Sequence, residues 1–209
     1  MTMAGDRLRC FVALTLDRAS RDALAALPVA AGARRTPRDQ LHVTIAFLGA
    51  IERAKSELLG ARIPALAAAG AVPPVDVERV VCWPSTAHAR LVVAELAPQP
   101  SLLALGERVG GALRALGLPP DSRAFKPHVT IARFPRDAHR VTIDGRAFKP
   151  HVTIARFPRD AHRVTIDGAC GAERRSPFAL RFETLTLYES VLTRMGAEHR
   201  VLAAAALPA

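Results

Sequence analysis

Two segments of the chain hold a histidine and a threonine, one residue apart, in the same five-residue context: His42-Val43-Thr44-Ile45-Ala46 and His128-Val129-Thr130-Ile131-Ala132. Imidazole titrates near neutrality, so two of them can divide proton removal and proton donation between them. A threonine hydroxyl can donate a hydrogen bond to a phosphate oxygen. On a β-strand, residues i and i+2 share a face, so each histidine projects together with its threonine. Val43, Ile45 and Phe47, and likewise Val129 and Ile131, are then expected on the opposite face, in a core. Two such strands side by side would put two imidazoles and two hydroxyls in one groove. Arg133 lies five residues beyond His128, an odd offset, and needs a bulge or the strand end to reach that groove. One His-x-Thr in a strand is usually structural; its recurrence in both halves of the chain is what makes it a candidate site.

The second motif itself is duplicated. The 23 residues RAFKPHVTIARFPRDAHRVTIDG run from Arg123 to Gly145 and again, letter for letter, from Arg146 to Gly168. Solenoid arrays need three or more copies and show drift between them. A recent duplication in the gene, or an error of sequence assembly, explains two identical copies better. Only one copy can stand beside the first motif, and the other is pushed out as a surface excursion or added at an edge. Loop length hardly discriminates, since each doubling costs only about 0.6 kcal/mol. A short Pro119-Pro120 connection leads from the preceding helix into the first copy. His128, Thr130 and Arg133 are therefore expected in the working position, with His151, Thr153 and Arg156 as the alternative set. A spare HVTIARF strand is sticky, so a monomer is expected with oligomers open to it through that strand.

These motifs must be held by a larger frame. Arg7 to Leu16 suits a strand, Ser20 to Leu27 a helix capped by Ser20, and Gln40 to Leu48 a strand closed by Gly49. A helix follows from Ile51 to about Ala68, with Pro64 able to kink or end it. Val75 to Trp83 and Ala89 to Leu96 read as a strand pair. Ser101 then opens a helix whose Leu102, Leu105, Val109, Leu113 and Leu116 form one apolar face. HVTIARF and RVTID are strands in each copy, and Phe178 to Ser190 and His199 to Ala203 supply the last ones. The layout is α+β or α/β, expected as a single folded unit over residues 1–209.

Half of the 209 residues are hydrophobic, no apolar run is long enough to span a membrane, and the first residues do not resemble a signal peptide. A soluble, cytoplasmic protein is expected. Cys10, Cys82 and Cys170 lack metal-ligand spacing and read as reduced, mostly buried thiols. The net charge of +10 suits a nucleic-acid or phosphate partner. Part of it belongs to the repeat, whose five cationic residues against Asp137 and Asp144 leave +3 per copy. Two histidines leave a tetrahedral zinc ion short of ligands, and no Walker lysine is present, so no metal or nucleotide cofactor is expected. Trp83 is placed in the core or the cleft, Phe11 in the core, and His88, His139, His162 and His199 at solvated loops or edges.

With RLRCFVALTL at the start, LHVTIAFLG, RAFKPHVTIAR and LTLYES near the end, the chain resembles the two-histidine (2H) phosphoesterases, and among them the RNA 2',3'-cyclic phosphodiesterases also called 2'-5' RNA ligases, of the LigT type. The resemblance implies a bilobal, pseudo-twofold α+β fold with one His-x-Thr strand from each lobe lining a central cleft. It further implies an RNA ending in a 2',3'-cyclic phosphate as substrate. Water would attack the cyclic phosphate with one imidazole as base and the other as acid, leaving a 2'-phosphomonoester. Thr44, Thr130 and the motif arginine Arg133 would hold the phosphate, and the reverse reaction would join 2'-5' linkages without a nucleotide cofactor. A related activity on another cyclic phosphate or a 2'-5' oligonucleotide, and a noncatalytic RNA-binding module, stand as alternatives.

Overall fold

The computed structural model describes residues 6–29, 32–85, 88–118, 125–134, 141–142, 164–165, 178–193 and 196–208. Alternation along β1 (Arg7–Leu16) sets the two faces of the sheet. Leu8, Cys10, Val12, Leu14 and Leu16 enter a core shared with the helices, whereas Phe11, Ala13 and Thr15 face the other way. Asp17 caps α1 (Arg18–Ala26), its carboxylate accepting the Ser20 N–H at 2.7 Å. Ser20, expected as the cap, is instead buried, where its hydroxyl accepts the Arg181 N–H at 2.9 Å.

The chain continues through β2 (Arg34–Arg35), a 3-10 turn at Arg38–Gln40, and β3 (His42–Glu52). Gly49, expected to close this strand, adopts φ +65° instead, and the strand runs on to Glu52. The single helix expected over residues 51–68 is two helices, α2 (Arg53–Gly60) and α3 (Ile63–Ala68), with Pro64 in the first turn of the second, where its missing N–H costs nothing. Next come β4 (Val75–Trp83), β5 (Leu91–Leu96) and α4 (Pro100–Ala115). Leu102, Leu105, Val109 and Leu113 of α4 are buried against the sheet as their spacing predicts, with Pro100 rather than Ser101 opening the helix. The remaining strands are β6 (His128–Arg133), β7 (Val141–Thr142), β8 (Val164–Thr165), β9 (Ala179–Leu180), β10 (Phe182–Thr193) and β11 (Gly196–Ala206).

One sheet takes nine of these strands in the order β11-β10-β1-β3-β6-β5-β4-β9, with β2 pairing β6 off that path. The helices cover one face only, which makes the fold α+β. Two strand-helix-strand units, β1-α1-β3 and β5-α4-β6, meet at the middle of the sheet through β3 and β6. β10 flanks β1 on one side as β4 flanks β5 on the other. The strand beside β3 is thus the HVTIAR strand of the first repeat copy. His151, Thr153 and Arg156 of the second copy lie outside the described residues, as do His139 and His162. The short strands β7 and β8, one from each copy's RVTID segment, pair with each other in parallel, apart from the main sheet.

Cys10 is a free buried thiol, pushed up to about 11 by burial and by the nearby Glu189 carboxylate. Cys82, expected reduced, is disulfide-bonded; whether a thiol finds a partner is set by the fold, and the spacing of cysteines along the chain does not record it. No helix among the described residues is long and apolar enough to cross a membrane.

At Gly49 an added Cβ would meet nothing within 4 Å, so only backbone strain opposes a side chain there. Gly49→Ala should lower the unfolding free energy by about 1–2 kcal/mol, and Gly49→Asn by less, read from urea denaturation. Equal midpoints for all three proteins would show that this left-handed position costs nothing.

Candidate active site

β3 and β6 touch through one ladder pair, Val43 opposite Val129. Both side chains are fully buried in the core. The two valines occupy equivalent places in the two HVTIA segments, so a local twofold axis passes between them. Continued by one residue either way, the antiparallel register sets His42 across from Thr130 and Thr44 across from His128. All four project from the face that the helices leave open.

Beyond this pair the strands turn apart, and matching bulges show why. Along β1 and β3, Ala13 pairs with Thr44 but Val12 pairs with Ala46, so Ile45 is extra. Along β5 and β6, Val93 pairs with Thr130 but Val92 pairs with Ala132, so Ile131 is extra. Each inserted isoleucine stays in the core and reverses the alternation after it. Arg133, at its odd offset, thereby returns to the open face. The same shift overturns the expectation for Phe47, which pairs with Phe11 on the open side and is 55% exposed. At corresponding positions, then, one half of the cleft carries an arginine and the other a phenylalanine.

Each imidazole is held in the same way. His42 Nδ1–H donates to the Gln40 carbonyl at 2.7 Å, and His128 Nδ1–H donates to the Lys126 carbonyl at 2.8 Å. A carbonyl can only accept, so the neutral ring must carry its hydrogen on Nδ1. Nε2 is left with a lone pair that can take a proton, or with a proton to give once the ring is charged. Burial, with the charges of His199, Arg133 and His128 adding to it against the Gln40 carbonyl, pushes His42 down to about 4. Burial also lowers His128, where the Lys126 carbonyl and the Glu95 carboxylate work in the other direction. The Arg133 charge bears on His42, His128 and His199 alike, which sets its guanidinium in reach of the cleft. Burial lowers its own pKa, as it does for any cation drawn from water.

The surroundings of the two rings differ. Around His42 the side chains are aromatic: Phe11 at 5.1 Å and His199 at 5.3 Å between ring centroids, with Tyr188 stacked on Phe11 at 5.1 Å. A cavity of about 280 Å³ opens here, lined by residues that include Gln40, His42, Tyr188 and His199. From Thr15, the cross-strand partner of His42, a row of hydroxyls crosses the strands, Thr15 to Thr184 at 2.7 Å and Thr184 to Thr186 at 2.8 Å. Around His128 the neighbours are Trp83, 4.3 Å away between centroids, and Glu95, its cross-strand partner. Arg34 of β2 stands across from Arg133, adding a second cation on that side.

Sequence reasoning missed several of these groups. His199, expected at a solvated edge, is on an edge strand but is half-buried against His42 and Phe11. Tyr188 belongs to the LTLYES segment, yet period-2 alternation from the buried Thr186 was the one signal pointing it at the cleft. Phe11 is buried as expected, though on the cleft side rather than under the helices. His88 is exposed in a turn, as expected. Thr44 and Thr130 are half-buried beside the histidines they were paired with.

The fold and this pair of strands can be set beside known proteins. E. coli LigT, solved with 3'-AMP, superposes with a TM-score of 0.61 at 22% identity over 97% of this chain and 99% of its own. TT0787 of Thermus thermophilus superposes with a TM-score of 0.63 at 23% identity over 96% and 98%. E. coli LigT with phosphate gives a TM-score of 0.58 at 21% identity over 97% and 99%. At these identities the likeness is one of fold. No curated protein sequence matches the chain. The family model described as the 2'-5' RNA ligase superfamily matches residues 16–144, which span both His-x-Thr strands and all but the last residue of the first repeat copy. By that match over more than half its length, the chain belongs to the 2'-5' RNA ligase superfamily of two-histidine phosphoesterases.

Proposed function

We propose that the protein is an RNA 2',3'-cyclic phosphodiesterase that opens the cyclic phosphate at an RNA 3' end to a 2'-phosphomonoester, and that His42 and His128 are its acid and base. The observation that carries this reading is the matched pair of Nδ1–H to carbonyl bonds, which leaves Nε2 of each ring for proton transfer. In the reaction a water oxygen bonds to phosphorus as the bond from phosphorus to the 3'-oxygen breaks. One Nε2 takes the proton of the water, and the other Nε2–H gives its proton to the leaving 3'-oxygen. Atoms and charges balance without a metal or nucleotide. In this reading Thr44 and Thr130 donate to phosphate oxygens, and Arg133 offsets the negative charge that grows on them. E. coli LigT has been solved with 3'-AMP and with phosphate, ligands whose chemistry suits such a cleft. Phe47, opposite in the pseudo-symmetry to Arg133, offers an exposed ring on which a base can stack. Run in reverse, the same transfer would form a 2'-5' linkage.

Hydrolysis of a short RNA ending in a 2',3'-cyclic phosphate, assayed with EDTA present, tests the assignment. His42→Ala and His128→Ala should each lose about 10² to 10⁴ in kcat, while His151→Ala should match the unmodified protein. Loss with His151→Ala in place of His128→Ala would move the site to the second repeat copy. RNA binding without turnover in the unmodified protein would leave a noncatalytic module.

The histidines also couple folding to pH. His42 titrates at about 4 when folded and near its ordinary value of 6.5 when unfolded, so between these pH values the unfolded chain binds more protons. Stability is therefore full above about 6.5 and falls as pH drops toward 4, by roughly 3 kcal/mol from this group. Urea midpoints should decline from pH 7 to pH 5, and His42→Gln should flatten the decline; a slope untouched by that change would mean that His42 is not held neutral.

A further inference from the structure

Because the two halves of the cleft correspond residue by residue, differences between equivalent positions show how each histidine is treated. Across the ladder from His42 stands Thr15; across from His128 stands Glu95. The Glu95 side chain is only 18% exposed, and a carboxylate so placed needs partners. One oxygen accepts the Trp83 Nε1–H at 2.7 Å and the other accepts the Arg79 Nε–H at 2.5 Å. Trp83 ends β4, and its ring lies against that of His128, tilted by 47° at a centroid distance of 4.3 Å. The only polar atom of the indole is thus tied to the carboxylate while the ring bears on the imidazole. An indole face attracts a cation, and an anion one strand away favours the charged ring as well.

Among the described residues, the charged groups around His128 can be taken element by element. Glu95 comes from β5, Arg79 lies beyond it on β4, Arg133 ends β6 itself, Arg34 stands across from Arg133 on β2, and His42 faces it from β3. Glu95 is the anion of this set, against four groups that are or can become cations. The half around His42 has no carboxylate at the corresponding ladder position. Asp39 and Glu198 line the cavity that His42 also lines, off the ladder, and the Asp39 charge bears on His199.

Resting on the phosphodiesterase reading of the cleft, we propose that Trp83, pinned by Glu95, is a positioning residue that fixes the His128 ring and offsets part of the burial that disfavours its charge, so that of the two imidazoles His128 is the one that carries the proton into the reaction. His42, among aromatic rings, enters neutral and takes the proton of the water. The two imidazoles are alike in their own hydrogen bonds and are assigned different work by the residues behind them.

Titration of the histidine Cε1–H resonances in the full chain, without substrate, reads this directly. The proteins compared are the unmodified chain, Glu95→Gln, Trp83→Phe and Trp83→Leu, with methyl dispersion reporting that each is folded. Glu95→Gln keeps an acceptor for the indole N–H and removes the charge; Trp83→Phe keeps a ring and removes the tether. The His128 midpoint should fall by about half a pH unit in Glu95→Gln and Trp83→Leu, and less in Trp83→Phe, with smaller movements at His42 and His199. The alkaline limb of kcat against pH should move down with it. A His128 midpoint unchanged or raised in the folded variants overturns the inference, whatever the activity. If His128 shifts as expected but the unmodified protein does not open a cyclic phosphate, the influence of Trp83 and Glu95 stands and the phosphodiesterase reading falls.

Discussion

The structure depends on the one ladder pair that joins β3 to β6, Val43 against Val129. A slip of one residue in either strand would turn its histidine and threonine into the helix-covered core and bring its valine out to water. Burial of both β-branched side chains opposes that slip, because the register that hides the valines is the one that exposes the imidazoles. The apolar residue between His and Thr therefore has as much part in building the cleft as the polar residues flanking it. That so short a seam holds two halves of a sheet together is explained by what surrounds it. β2 pairs with the end of β6 where β3 has turned away, and the Thr36 N–H donates to the Ile131 carbonyl at 3.0 Å.

Packing and chemistry are linked a second time through the two bulges. An extra isoleucine in each strand bends it away from the seam and re-aims whatever follows. The bend parts the strands beyond the seam, and the re-aimed residues, Phe47 and Arg133, stand on the open face of the sheet. The imidazoles are part-buried there, which is why they are held below their ordinary range and why their Nδ1 atoms need the Gln40 and Lys126 carbonyls. Those bonds fix the tautomer, orient the ring and satisfy a buried donor at once.

Much of this was legible in the residues. The paired HVTIA segments marked the two central strands and both histidines, since a buried, half-polar strand has a strong period-2 signature. The odd offset of Arg133 called for a bulge, and the bulge is there. Phe47 stands at the same odd offset from His42, but its apolar character makes a core position look natural, and the bulge overrules that expectation. Helix ends were read less well: Asp17 and Pro100 open helices that Ser20 and Ser101 were expected to open, because serine's capping tendency is weaker evidence than the hydrogen bonds the fold finally provides. Trp83, Glu95, Tyr188 and His199 reach the site only through pairing of strands distant in sequence. Nothing in their local spacing records that pairing, nor is the oxidised state of Cys82 written in its neighbours.

The exchange of arginine for phenylalanine at equivalent positions of the cleft has one more consequence. A site with true twofold symmetry would hold an asymmetric ligand in two opposite orientations of equal free energy, and half of all encounters would be turned the wrong way round. On the proposed reading, Phe47 and Arg133 would remove that degeneracy, because a chain with an anion at one end and a flat ring at the other would fit in one direction. A difference of only about 1.4 kcal/mol between the two directions is a tenfold preference. The near-symmetry that builds the cleft is thus broken where a ligand's polarity would be read, at one residue in each strand, five positions past the histidine.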